Sequence, residues 1–184
     1  TRNPTSLDEI FLASVERYDP VTDSWEEVAP MGTRRHSHAA TVLHGKLYAI
    51  CGRTGDVSEG GELHSCERYD PVLDEWEPVA DMAFAREDAA AAVLDGKLWV
   101  AGGSHTRSME VFDPASNTWD ATKAPMTAGR RRHALAVLDG ELHAVGGSGN
   151  KTSVEKYDPR ADSWSAVPGM ALPEGQNWSA VAVL

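Results

Sequence analysis

Tyr69-Asp70-Pro71-Val72-Leu73-Asp74-Glu75-Trp76, followed by Met82, decides how this chain is read, because the phrase is written four times. The other copies open at Tyr18-Asp19-Pro20, Phe112-Asp113-Pro114 and Tyr157-Asp158-Pro159, and Trp25, Trp119 and Trp164 each fall seven residues after the aromatic. Asp favours the first position of a type I turn and Pro presets φ for the second. The phrase therefore predicts a strand ending in an aromatic, a turn, and a second strand opened by Trp. Successive copies start 51, 43 and 45 residues apart, a period typical of propellers and solenoids, in which each unit is too small to bury its apolar face alone and leans on its neighbours.

Working outward, each repeat holds a second hairpin. Ala39 to Leu43 and Lys46 to Ile50 flank His44-Gly45; Ala89 to Leu94 and Lys97 to Ala101 flank Asp95-Gly96; Ala134 to Leu138 and Glu141 to Val145 flank Asp139-Gly140. Asp-Gly between two apolar runs predicts a type I′ turn, which needs positive φ at both central residues. Each repeat is thus expected to be four antiparallel strands, a to d. Strand c carries Ser-x-Glu four times (Ser14/Glu16, Ser65/Glu67, Ser108/Glu110, Ser153/Glu155). Strand d admits Pro78 and is placed at the blade edge, while the alanine run Ala89 to Ala92 places strand a where blades crowd towards an axis. Strand b ends in Gly102-Gly103 and Gly146-Gly147, degenerate as Cys51-Gly52. Paired glycines predict a close approach there, with the motif Trp or Tyr as the expected neighbour.

The glycine doublet, the Tyr-Asp-Pro, the Trp seven residues on and the following Met resemble the kelch repeat, and Ser14 to Pro20 is most similar to the BTB-kelch adaptors of cullin ubiquitin ligases. The resemblance implies an all-β fold, a β-propeller of four-stranded antiparallel kelch blades. Here it is partial: three complete blades plus half-blades at the ends. The whole chain, 1–184, is taken as one propeller fragment, with repeats at about 1–31, 32–82, 83–126 and 127–170 and the start of a further one at 171–184, including a strand a at Trp178 to Leu184. Tyr18, Trp25, Tyr69, Trp76, Gly102, Gly103, Phe112, Trp119, Gly146, Gly147, Tyr157 and Trp164 are the expected structural motif residues.

Composition narrows the function. The 184 residues include 28 acidic and 17 basic side chains, a formal net charge of -11 at pH 7, which argues against a nucleic-acid partner, since phosphate backbones are held by many Lys and Arg contacts. No apolar run reaches the about 18 residues of a membrane helix, and Thr1-Arg2-Asn3-Pro4 has no signal-peptide layout, so no membrane partner and a cytoplasmic location are expected. Cys51 and Cys66 fill slots held elsewhere by Gly102 and Met109, and read as small buried thiols rather than a disulfide. No nucleophile elbow, phosphate loop or paired-Cys motif occurs. His36 and His38 alternate as on one strand face, but no third metal ligand lies nearby in sequence. No catalytic residue, cofactor or metal is assigned.

The internal copies separate scaffold from variable parts. Met to turn Gly is 14 residues in all three copies (Met31 to Gly45, Met82 to Gly96, Met126 to Gly140). Length varies from the second Gly to the Ser of strand c, which spans 13, 5 and 6 residues (Gly52 to Ser65, Gly103 to Ser108, Gly147 to Ser153), and from Trp to Met in the third copy. These are the b–c and d–a loops, which share one face of an up-and-down blade, and loops on a rigid scaffold are where binding concentrates. Arg34, Arg35, Arg86, Arg131 and Arg132 in the d–a loops, with Arg53 and Arg107 in the b–c loops, are therefore the candidate partner-binding residues. One arginine recurs in three copies and has a competing role, pairing with the repeated Glu of strand c. The expected ligand is an acidic protein or peptide segment, held by guanidinium forks. By resemblance alone, the module delivers that ligand to a cullin ligase. The alternative is a fragment of a kelch-type enzyme, a sugar oxidase or sugar epimerase, whose catalytic residues lie on other blades.

Overall fold

A computed structural model describes residues 12–55, 61–104, 106–149 and 151–172. Among them are fourteen strands and no helix. The first sheet is a pair, β1 (Val15–Asp19) and β2 (Ser24–Val28). Blade 1 follows as β3 (Ala39–Leu43), β4 (Lys46–Ile50), β5 (Cys66–Asp70) and β6 (Glu75–Val79). Blade 2 is β7 (Ala90–Leu94), β8 (Lys97–Ala101), β9 (Met109–Asp113) and β10 (Thr118–Asp120). Blade 3 is β11 (Ala134–Leu138), β12 (Glu141–Val145), β13 (Val154–Asp158) and β14 (Ser163–Ala166). Each four-stranded sheet runs a-b-c-d in chain order with antiparallel neighbours. The innermost strands β3, β7 and β11 lie next to one another across the blades, and Pro78 sits on the edge strand β6 opposite Glu67. The strand proposed at Trp178 to Leu184, and residues Thr1 to Phe11, fall outside the described residues.

Local chemistry explains the hairpins. His44/Gly45, Asp95/Gly96 and Asp139/Gly140 all have positive φ, as the type I′ turn requires. In the c–d turn, Asp70 Oδ1 accepts from the Val72 and Leu73 amides at 2.9 and 3.4 Å, fixing the turn that Pro71 opens. The turn closes on a left-handed residue, Asp74 (φ 54°), matched by Asp23, Asn117 and Asp162. Trp76 consequently stands second in its strand, after Glu75, rather than opening it.

The cores lie between blades. One unites Ile50, Cys66, Val79 and Met82 of blade 1 with Leu98, Val100 and Phe112 of blade 2; the other unites Trp99, Met109 and Val111 of blade 2 with Leu142, Ala144 and Tyr157 of blade 3. Trp76, Trp119 and Trp164 reach back across the junction and donate to the carbonyls of Ala29, Ala80 and Ala124 at 2.8, 2.8 and 3.1 Å. The amides of those alanines donate to Asp74, Asn117 and Asp162. One hairpin thus grips both polar groups of a single residue in the preceding blade. Cys51 and Cys66 are free and buried, and desolvation pushes their thiols up to about 11 and about 12.

The glycine doublets do not receive the motif aromatics. A Cβ on Gly102 would lie 2.5 Å from the Arg130 carbonyl oxygen and 2.8 Å from the His133 ring; on Gly103, 2.6 Å from the Glu87 carbonyl; on Gly147, 2.7 Å from that of Arg131. The close neighbours are d–a loop backbone and a histidine. All four doublet glycines have positive φ, and Cys51 adopts φ 55° in the same role.

Candidate functional site

The b–c and d–a loops are laced together on one face. His36 exchanges backbone hydrogen bonds with Arg53, Ser104 N–H donates to Glu87, and Ser148 N–H donates to Arg131. Nearer the axis, Asp88 N–H donates to Ser37 O and Arg132 N–H to Asp88 O, both 2.9 Å, so three equivalent loop residues of positive φ link the three blades.

Four residues after each motif Met lies the recurring arginine: Arg35, Arg86 and Arg130. All three are buried and paired with the strand c glutamates: Arg35 with Glu67 at 2.6 Å, Arg86 with Glu110 at 2.7 Å, Arg130 with Glu155 at 2.7 Å. Arg86 Nη1 also donates to the carbonyls of Gly102 (2.9 Å) and Ser108 (3.1 Å), and Glu110 accepts from the amides of Ala83 and Phe84. A buried ion pair withstands desolvation only with such additional hydrogen bonds. Arg35 and Arg86, expected to meet a partner, are turned inward because their Glu partners and the carbonyls of the residues flanking strands b and c take up the guanidinium; they hold the loops in place.

The surplus arginines are placed differently. Arg34 and Arg107 are exposed, and Arg131 is half-buried with its Nε unpartnered. Arg53 stands 3.5 Å from Glu87 and Arg132 2.9 Å from Asp88. Sequence reasoning missed these two carboxylates, which bring acidic charge to the loop face as well as to the strands and opposite turns. Their position five and six residues after Met82, aligned with His36-Ser37 and Arg131-Arg132 in the other copies, was the available signal. Asp88 is almost wholly buried and its Oδ1 has no partner. His133, just before β11, is buried with neither ring nitrogen bonded; desolvation and the nearby Arg130 hold its pKa down at about 3. Desolvation likewise lowers His38, and His36 Nδ1 lies 3.1 Å from Arg53 O.

The Kelch motif matches residues 7–32, 34–83, 85–122 and 129–171. The chain belongs to the kelch-repeat family. Among curated relatives, Kelch-like protein 15 of Danio rerio is 32% identical over 201 residues, covering 94% of this chain and 32% of that protein. Kelch-like protein 33 of Homo sapiens is 35% identical over 162 residues, covering 84% and 30%. An F-box/kelch-repeat protein of Arabidopsis thaliana is 31% identical over 155 residues, covering 81% and 39%. The chain thus spans about a third of the length of these relatives. The solved structure of YjhT superposes with a TM-score of 0.72 at 15% identity, covering 91% of this chain and 68% of that one, a likeness of fold. No helix among the described residues is long and apolar enough to cross a membrane.

Proposed function

We propose that this kelch region is a protein-interaction module, the substrate-recognition part of a cullin-type ubiquitin-ligase adaptor, and that it holds an acidic protein segment on the b–c/d–a loop face. Its similarity to kelch-like proteins supports the interaction role. The observation that carries the ligand's charge is the presence on that face of arginines which the Arg–Glu staples do not consume. Arg34, Arg107 and Arg131 meet the incoming carboxylates. Arg53 and Arg132 assist by exchanging Glu87 and Asp88 for ligand acids, and Arg35 and Arg86 hold the loops from within.

The test is anisotropy binding of a labelled acidic peptide library at low and high salt. Arg34→Glu or Arg131→Glu is expected to weaken binding about tenfold, about 1.4 kcal/mol, and added salt to weaken it further. Arg17→Glu, on the exposed face of β1 beside Glu26, is expected to leave it unchanged. Binding indifferent to the loop arginines but abolished by substitutions in the c–d turns would overturn the assignment.

A further inference from the structure

Strand c carries a cation at its third position in three copies: Arg17, Arg68 and Lys156. In blade 2 that position is Val111. Arg68 shows what the cation does. Its Nε donates to Glu77 on strand d at 2.6 Å, it faces Tyr48 across the sheet on strand b, and both line a cleft of about 260 Å³ between blades 1 and 2 that Pro114 bounds on the far side. Arg17 likewise holds Glu26 on its strand d, at 2.7 Å.

Blade 2 keeps the frame and lacks the cation. Val111 pairs across the sheet with Trp99 and with Asp120, which occupy the positions of Tyr48 and Glu77. The corresponding cleft, between blades 2 and 3, has grown to about 390 Å³ and is bounded by Trp99, Val111 and Pro159. Its turn residue is Asp95 where blade 1 has His44. The first cleft is lined by two cations, Lys46 and Arg68, and no carboxylate; the second is lined by two cations, Lys97 and Lys123, and three carboxylates, Asp95, Asp113 and Asp120. The Oδ2 atoms of the last two pair with the part-exposed Lys97 (to Asp113, 2.8 Å) and Lys123 (to Asp120, 3.0 Å), while Oδ1 of Asp113 accepts from Ala115 N and Oδ1 of Asp120 from Thr122. Hydrogen bonds from Thr122 and the neighbouring Lys123 keep Asp120 ionised, its pKa lowered to about 2.

We propose that the cleft between blades 2 and 3, on the face of the a–b and c–d turns, is a binding site for an arginine or lysine side chain of a protein partner, which takes the place that Arg68 fills internally in blade 1. The apolar stem lies along Val111 and Trp99, the cationic head reaches Asp120 and Asp95, and the Trp99 ring adds a cation–π contribution. The site is on the opposite face from the loop arginines and does not depend on their role.

The probe is N-acetyl-arginine amide, titrated into the ¹⁵N-labelled chain and followed by NMR, with the Trp99 indole N–H identified from Trp99→Phe. A saturable shift is expected at the Trp99 indole and at the Val111 and Asp120 amides, with N-acetyl-glutamate amide silent. Val111→Arg, which supplies the cation internally, is expected to reduce the shift at least tenfold. Val72→Arg adds the same charge on an exposed turn tip and is expected to leave it intact. Asp120→Asn weakens binding without crowding the cleft and serves if Val111→Arg does not fold. Equal losses from Val111→Arg and Val72→Arg, or non-saturating shifts spread over the surface carboxylates, would overturn the proposal. Trp99 shifts that grow with protein concentration without the probe would do so too, by assigning the cleft to a second copy.

Discussion

Trp76 shows how much one residue of the repeated phrase carries. Its ring lies 5.3 Å from that of Tyr69 and its indole donates to Ala29 O across the blade junction. Replacing it by Ala removes apolar packing and leaves a carbonyl unpaired, an expected loss of about 3 to 4 kcal/mol. Trp25 holds the same repeat position but is 67% exposed, so Trp25→Ala is expected to cost under about 1 kcal/mol, as is Arg131→Ala. Urea titrations of the three variants check this, and equal midpoint shifts would contradict a scaffold role specific to Trp76. The sequence repeats one arginine four residues after each motif Met, but the repeat alone does not show that it is buried. Arg34 and Arg35 are adjacent and chemically identical, yet one is exposed and the other 2% exposed. The difference lies in where Glu67, thirty-two residues later, presents its carboxylate.

At the scale of the element, the c–d turn is built for its conformation and for the neighbouring blade at once. Asp74 Oδ1 accepts from Tyr69 Oη at 2.7 Å and from Ala29 N at 2.9 Å while the residue holds φ 54°. In blade 2 the pair is Phe112 and Asn117: the hydroxyl is gone and an amide oxygen suffices for Ala80 N. Asp74→Asn is therefore expected to cost no more than about 0.5 kcal/mol, Asp74→Gly about 1 to 2 because only the hydrogen bonds are lost, and Asp74→Ala about 2 to 3 because the left-handed backbone is strained as well. Thermal midpoints in the order Asn, Gly, Ala test this; Ala matching Gly would mean that the backbone is not strained. The hairpins were legible because such preferences act within a few residues. The glycine doublets were only half legible. Their φ requirement is local, but the groups that crowd them are the carbonyls of Arg130, Glu87 and Arg131, and only the packed loops bring those close.

Across the whole molecule, blades depend on one another through groups that titrate as well as through apolar contact. His133 is packed against Gly102 of the preceding blade and Gly147 of its own, with Arg130 as the charged group that acts on it. Unfolded, it binds a proton below about pH 6.5; folded, it does so only below about pH 3. Between those values the unfolded state holds the extra proton, so His133 makes stability fall as pH drops below about 6.5, by up to about 1.4 kcal/mol per pH unit. Urea unfolding at pH 7 and pH 5 is expected to show a smaller loss on acidification in His133→Leu than in the parent chain. Identical losses would show that His133 stays neutral in both states or is charged in both. The sequence by itself determined the repeat, the two hairpins of each blade, their turn conformations and the a-to-d strand order, since these follow from local torsional preference and from alternation repeated at a fixed period. Only the tertiary structure decided which arginines are spent on Glu67, Glu110 and Glu155, that Glu87 and Asp88 hold Arg53 and Arg132, and that Val111 opens a cleft where Arg68 fills one. Each of these is set by contacts between loops, strands or blades some twenty to fifty residues apart: the chain repeats the arginine and the glutamate at fixed places, but only packing matches their charge and shape.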